Sequence, residues 1–386
     1  MELEIWHLMV LPLFFALGWL AARVDIRHVV KESRSIPASY FRGLNYLLNE
    51  QPDKAIEAFL EVARLDPDTL ELHFALGALF RRRGELDRAI RIHQNLVDRS
   101  DLNQEQRIKA LHELGQDFLK AGLLDRAEVI FRKLEGSQPL DALRHLLEIF
   151  VLEKDWPQAI ATAERLERLG SPAQFTETAH YHCELAQVAL LRGEVDAARR
   201  HLDAALASNR KSARAMQLLG DLEARTGNDA AAIAAWRQVE ALNPAYLPVV
   251  GERLLRAYQR LNQAPAGLEL LAGYLERHPS ADLFHTLFQA VAEQQGWDAA
   301  ARLAADVLKR QPGLRVLDDY LQAKTALAGE AADLEARMAQ DLVHKQVSRL
   351  AFYQCDHCGF KARQFFWQCP ACARWEGIPP ERREAE

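Results

Sequence analysis

YFRGLNYLLNEQPDKAIEAFLEVARLDP, residues Tyr40 to Pro67, decides the fold. Gly43, Tyr46, Ala55, Phe59 and Pro67 punctuate it at the intervals of two short helices packed side by side. A small residue where two antiparallel helices cross lets them touch. A large residue fills the groove beside the crossing, and a proline stops the second helix. One such pair cannot bury its own apolar face and needs further copies stacked against it.

The copies follow. One runs through Leu76-Gly77, Phe80, Gly84 and Ala89. A third carries Leu114-Gly115, Phe118, Gly122, Ala127, Phe131 and Pro139, and a sixth carries Leu219-Gly220, Gly227, Ala232, Trp236 and Pro244. The fourth, fifth, seventh and eighth are weaker. In the fourth, Lys154 replaces the turn glycine, and in the seventh Gly267 replaces an alanine. The eighth-position residues are Gly43, Gly77, Gly115, Leu147, Ala186, Gly220, Leu255 and Phe288, between 32 and 39 residues apart. That interval leaves room only for helix–turn–helix units, the tetratricopeptide pattern. The expected fold is all-α, a tetratricopeptide superhelix of about eight repeats over residues 36–312, with capping helices over 313–349. Such an array offers a concave face to a protein or peptide. Arg81-Arg82-Arg83 ends a first helix at the pole that suits cations, and is expected to be solvated charge.

Toward the N-terminus, Ile5 to Ala22 reads IWHLMVLPLFFALGWLAA, 18 residues without a formal charge. As a helix it spans about 27 Å, close to the hydrocarbon thickness of a bilayer. Trp6 and Trp19 sit near its ends, where amphipathic rings favour the interface. A cleaved signal would carry basic residues before the run. Here Glu2 and Glu4 precede it, while Arg23, Arg27, Lys31 and Arg34 follow it. The expectation is an uncleaved single-pass transmembrane anchor over 1–22 and a basic juxtamembrane linker over 23–35. The tail would then lie outside and the body inside.

Toward the C-terminus, YQCDHCGFKARQFFWQCPACARWEGIP holds two Cys-x-x-Cys pairs, Cys355 with Cys358 and Cys369 with Cys372. Two residues between thiolates let one tight turn aim both sulfurs at a single ion, and two such knuckles complete a tetrahedron. The knuckle marks are Cys358-Gly359 and Cys369-Pro370. With four cysteines as ligands no position stays open for water, so the ion, iron or zinc, is structural or carries electrons. This metal-binding domain is expected over 350–378, with His357 facing solvent and a tail over 379–386 whose last residues, Glu381 to Glu386, are charged and frayed. The seven aromatics from Phe352 to Trp375 are expected both to form its core and to face the array. The fifth cysteine, Cys183, stands alone in YHCELA and reads as a small core hydrophobe.

Composition excludes much else. Of 386 residues 49% are hydrophobic and 26% charged, and Gly with Pro is too scarce for a disordered or collagen-like chain. A net charge of −6 gives no sign of a nucleic-acid partner. There is no Walker A loop, no Gly-x-Ser-x-Gly and no His-Glu-x-x-His, so an enzyme is not expected and no catalytic residue is named. The classes left open are a binding scaffold, a membrane-tethered rubredoxin-like electron carrier and a general tetratricopeptide assembly factor.

The order of anchor, array and ribbon resembles the lipopolysaccharide assembly protein B family of Gram-negative bacteria. The matching stretches are ASYFRGLNYLLNEQPDKAIEAFLE, LFRRRGELDRAIRIHQNLV, AGLLDRAE, YHCELA, CDHCGF and CPACARW. RGELDRAIRIHQ together with the ribbon makes the resemblance specific. The family's four metal cysteines fall on Cys355, Cys358, Cys369 and Cys372. The anchor matches in position and character rather than residue by residue. The resemblance implies a cytoplasm-facing protein of the inner membrane. It would be an adaptor that limits lipopolysaccharide synthesis by promoting degradation of the deacetylase LpxC by the protease FtsH. It would also gather other lipopolysaccharide-assembly proteins.

Overall fold

The computed structural model describes residues 15, 18, 19, 38–49, 51–65, 70–172, 174–329, 334–350 and 352–383. The expected anchor, apart from Phe15, Gly18 and Trp19, and the basic linker lie outside these residues. Among the described residues no helix is long and apolar enough to cross a membrane. They form eighteen α-helices and one two-stranded sheet.

The chain divides into two compact units. The first, Met1–Glu153, holds α1 (Ala38–Leu48), α2 (Pro52–Leu65), α3 (Leu70–Arg83), α4 (Leu86–Val97), α5 (Gln104–Lys120), α6 (Leu124–Leu134) and α7 (Pro139–Glu153). The second, Lys154–Glu386, begins with α8 (Trp156–Arg168), α9 (Phe175–Arg192), α10 (Val195–Ser208), α11 (Ala213–Arg225) and α12 (Asp229–Leu242). It continues through α13 (Leu247–Arg260), α14 (Ala264–Arg277), α15 (Ala281–Gln295), α16 (Trp297–Arg310), α17 (Leu314–Ala328) and α18 (Leu334–Leu350). The ribbon strands β1 (Tyr353–Gln354) and β2 (Lys361–Ala362) close it. The expected capping helices are α17 and α18, which pack on each other as a further pair.

The repeat marks work as the sequence suggests. A Cβ on Gly115 would sit 2.8 Å from Phe131 Cζ, closer than real atoms approach. Glycine is therefore what lets α5 and α6 touch. Gly220 plays the same part beneath Trp236, whose Nε1–H donates to the Gln217 carbonyl at 3.0 Å. In the eighth copy the eighth position is large and the residue sixteen places on is small. Phe288 and Ala304 are both fully buried, the reverse of the Gly115–Phe131 order. That copy keeps the volume of the crossing and exchanges which helix supplies it.

The turns show the same economy. Gly84, Gly122, Gly193 and Gly227 take φ between 72° and 85°. Lys154 and Asn262 adopt φ 59° and 57° at the matching turns. The packed helices hold these side-chain-bearing residues in the left-handed region, at a cost of about 1 kcal/mol each. The helix starts are capped as well. Asn103 and Gln106 form a reciprocal capping box on α5, and Asp155, Ser212, Asn228 and Ser280 each accept one free backbone N–H at a helix start.

Two expectations need correction. Arg81 is not solvated: its guanidinium donates to Glu113 Oε2 at 2.6 Å and to Asp117 Oδ1 at 2.7 Å. Asp117 is fully buried and also meets His93 Nδ1 at 2.5 Å, so the arginine balances a carboxylate that has lost its water. Only Arg82 and Arg83 of the triplet are exposed. The tail is not frayed up to Arg383. Phe352 and Arg383 exchange backbone hydrogen bonds, and Glu381 and Arg382 are held by α15. The sequence reads Glu381 and Arg382 as solvated because their partners lie about a hundred residues away.

Candidate metal centre

The ribbon is a short antiparallel hairpin, Tyr353 opposite Ala362 and Gln354 opposite Lys361, followed by a second knuckle. The two knuckles are built alike. Cys355 N–H donates to the Phe360 carbonyl and Cys369 N–H to the Arg374 carbonyl, both at 2.9 Å. Gly359 N–H returns to Cys355 O and Ala373 N–H to Cys369 O, also at 2.9 Å. Both returning residues have positive φ, 75° for Gly359 and 56° for Ala373. The counterpart of Gly359 is therefore Ala373, and not the Pro370 position that the sequence marks suggest.

These turns bring the Sγ atoms of Cys355, Cys358, Cys369 and Cys372 within 4.8 Å of one another. Cys355 and Cys372 Sγ lie 3.8 Å apart, and Cys358 and Cys369 Sγ 3.6 Å. Four sulfurs at about 2.3 Å from a tetrahedral ion stand about 3.8 Å apart, so the donor set fits one such ion. Cys355 and Cys369 are buried, Cys372 half-buried and Cys358 exposed. His357 is exposed as expected. Cys183 is not one of the four: it is fully buried in the α9–α10 core, where desolvation pushes its thiol up to about 12.

The second set of contacts seats the ribbon on the array, within the second unit. Trp375 stacks on His180 with ring centroids 4.6 Å apart and planes 7° from parallel. Trp367 stacks on Tyr246 at 4.6 Å. Between the two indoles lies Arg214, its guanidinium carbon 5.8 Å from the Trp367 ring and 5.5 Å from that of Trp375. Arg214 is buried, and Glu184 Oε1 accepts from it at 2.7 Å. A charge so enclosed needs both the carboxylate and the ring faces. His180 Nε2 also lies 3.1 Å from Glu376 Oε1.

The tail adds a polar clasp. Arg382 donates from its backbone N–H to Asp282 Oδ2 at 2.7 Å and from Nε to Oδ1 at 2.8 Å. Arg315 meets the same carboxylate at 2.6 Å. Glu381 accepts from the Ser280 hydroxyl and from Asp282 N–H. Burial holds the Glu381 carboxyl above its ordinary range, and the same cause raises Asp319 further along α17.

The sequence identifies the four cysteines and the role of the aromatics, but not their seat. His180 and Arg214 are 34 residues apart, and Asp282 and Arg315 are 33 apart, so the repeat places them at one position of successive first helices. That spacing was the available signal. Nothing within any single helix marks these residues, since each is an ordinary polar side chain until the ribbon covers it.

Comparison with known proteins agrees on both parts. A family model described as rubredoxin metal binding domain matches residues 353–380, and one described as tetratricopeptide repeat matches 42–101 and 183–246. The chain is 35% identical over 378 residues to lipopolysaccharide assembly protein B of Escherichia coli strain K12, covering 97% of each chain. To the protein of the same name from Haemophilus influenzae it is 30% identical over 390 residues, covering 96% of this chain and 97% of that one. A solved tetratricopeptide repeat protein from Parabacteroides merdae is 14% identical with a TM-score of 0.35, covering 74% of this chain and 97% of that one. That likeness is too loose to bear on function.

Proposed function

Since the chain belongs to the lipopolysaccharide assembly protein B family, we propose that it is a non-enzymatic adaptor in lipopolysaccharide assembly. The observation that carries this reading is the joining of a repeat array to a metal ribbon seated on it, in a chain that matches its relatives nearly end to end. Repeat arrays bind other proteins across many neighbouring side chains, and a four-cysteine centre leaves no open position for a substrate.

In this reading Cys355, Cys358, Cys369 and Cys372 hold one iron or zinc ion. The ion supplies folding energy to a module too small to have a sufficient core. Residues 1–22 anchor the chain in the inner membrane, 23–35 link it, and the rest faces the cytoplasm. The charge-free run and its basic flank support that orientation. The adaptor would bring LpxC to the membrane protease FtsH, so that tethering raises the local concentration of substrate at the protease.

The test is the lifetime of LpxC. Depletion of this protein should lengthen it and raise lipopolysaccharide. A chain lacking residues 1–22 should restore little of the effect. An unchanged LpxC lifetime would refute the adaptor reading and leave a generic scaffold. Metal analysis of the purified protein decides a separate point, because zinc in the native site removes the electron-carrier alternative.

A further inference from the structure

The last helix of the array, α18, has an outer face that no other described residue covers. None of its seventeen residues is buried. Gln340, Val343, Val347 and Leu350 are its half-buried face, the side packed on α17. On the opposite side Leu334, Met338 and Leu342 follow at i, i+4 and i+8, exposed to 71%, 55% and 60%. Terminal elements of a repeat array ordinarily carry a polar outer face, because no further repeat covers them. Three large apolar side chains in one row depart from that rule.

The charges around the row say what could cover it. Glu335 and Asp341 flank its N-terminal half, and Lys345 and Arg349 continue it toward the C-terminus. All four are exposed, and none has an ion-pair partner among the described residues. Acid early and base late also suits the helix's own dipole. The dipole does not account for the apolar row, nor for the placement of these charges on the same face as that row.

We propose that this face docks a second copy of the same chain, the two α18 helices lying antiparallel about a twofold axis near Leu342. With the axis there, Glu335 of one copy faces Arg349 of the other, and Asp341 faces Lys345. Both matches repeat by symmetry, which gives four complementary pairs. A parallel arrangement would set like charges together. Leu342 meets its own copy at the axis, and the aliphatic stems of Lys345 and Arg349 cover Met338 and Leu334. An isologous contact of this kind closes at two copies and leaves no open end. With only one helix face per partner the area is small, so the dimer is weak and depends on concentration.

The experiment uses the full chain in detergent solution, followed by sedimentation across a concentration series. The photo-crosslinking residue p-benzoylphenylalanine replaces Leu342 in a parallel sample. We expect a concentration-dependent dimer and a crosslinked homodimer. Replacing Lys345→Glu with Arg349→Glu should weaken association by about tenfold or more, because four pairs become repulsive. Adding Glu335→Lys and Asp341→Lys should restore it, since the swapped charges again complement each other antiparallel. A monomer at every concentration with no crosslink overturns the proposal. So does a dimer indifferent to the charge reversal, which would be held elsewhere, or a crosslink that joins only a different protein. Helical circular dichroism of each variant separates lost docking from lost folding.

Discussion

In the ribbon, four sulfur atoms within 4.8 Å of one another stand where a hydrophobic core would be. In the helix pairs no single contact holds that place. Gly115 under Phe131 and Gly220 under Trp236 are each one of many similar crossings. The ribbon is too short to bury enough apolar surface, so its order is concentrated at one point. The array spreads its order along the chain as local and nearest-neighbour terms. The two regions should therefore fail differently: the ribbon all at once, and the array a crossing at a time.

The largest expected effect tests that contrast directly. Cys355→Ser removes one ligand, and the ribbon should lose its ion and most of its folding energy, on the order of 10 kcal/mol for a structural zinc site. Metal content should fall to near zero while helical circular dichroism barely changes. Cys355→Ser with Cys358→Ser should be no worse than the single change, because both act through one ion. Collapse of the helical signal along with the metal would show that the array leans on the ribbon.

The seat between the two regions comes next. Trp375→Ala removes the ring stacked on His180 and half of the enclosure of Arg214. It should destabilise the docked ribbon by about 3 kcal/mol, the lower end for a large aromatic because Trp375 is only half-buried. Limited proteolysis should then release the ribbon with its metal still bound. That outcome separates losing the seat from losing the ion.

Within the array, Gly220→Ala should cost about 2 kcal/mol, since the new methyl overlaps the Trp236 indole. Pairing it with Trp236→Leu should recover part of the loss, in keeping with the exchange of large and small residues seen at Phe288 and Ala304. Chemical denaturation of the two variants checks this, and an additive result would argue against pairwise complementarity. The smallest effect is shared by both regions. Ala373→Gly in the ribbon and Lys154→Gly in the array each relieve a left-handed backbone at a side-chain-bearing residue. Each should add about 0.5–1 kcal/mol, less the entropy glycine adds to the unfolded chain. Thermal unfolding followed by circular dichroism for Lys154→Gly, and by metal release for Ala373→Gly, would measure it.

The helix pairs and the metal knuckles are legible in the chain's own spacing because both are local. Gly115 and Phe131 lie sixteen residues apart, and two residues part each pair of cysteines, so spacing alone brings the groups together. Even the weak copies were countable, although the rule of a small residue at the eighth position hid the exchange of sizes at Phe288 and Ala304. The contacts that folding alone reveals are long-range. His180 meets Trp375 across 195 positions, and Asp282 meets Arg382 across 100. A polar side chain reads as solvated until something covers it, which is why the sequence alone leaves Arg81 and Glu381 in water. Burial and its consequences, a carboxyl held above its ordinary range or an enclosed arginine, belong to the pair of surfaces and are written in neither one alone.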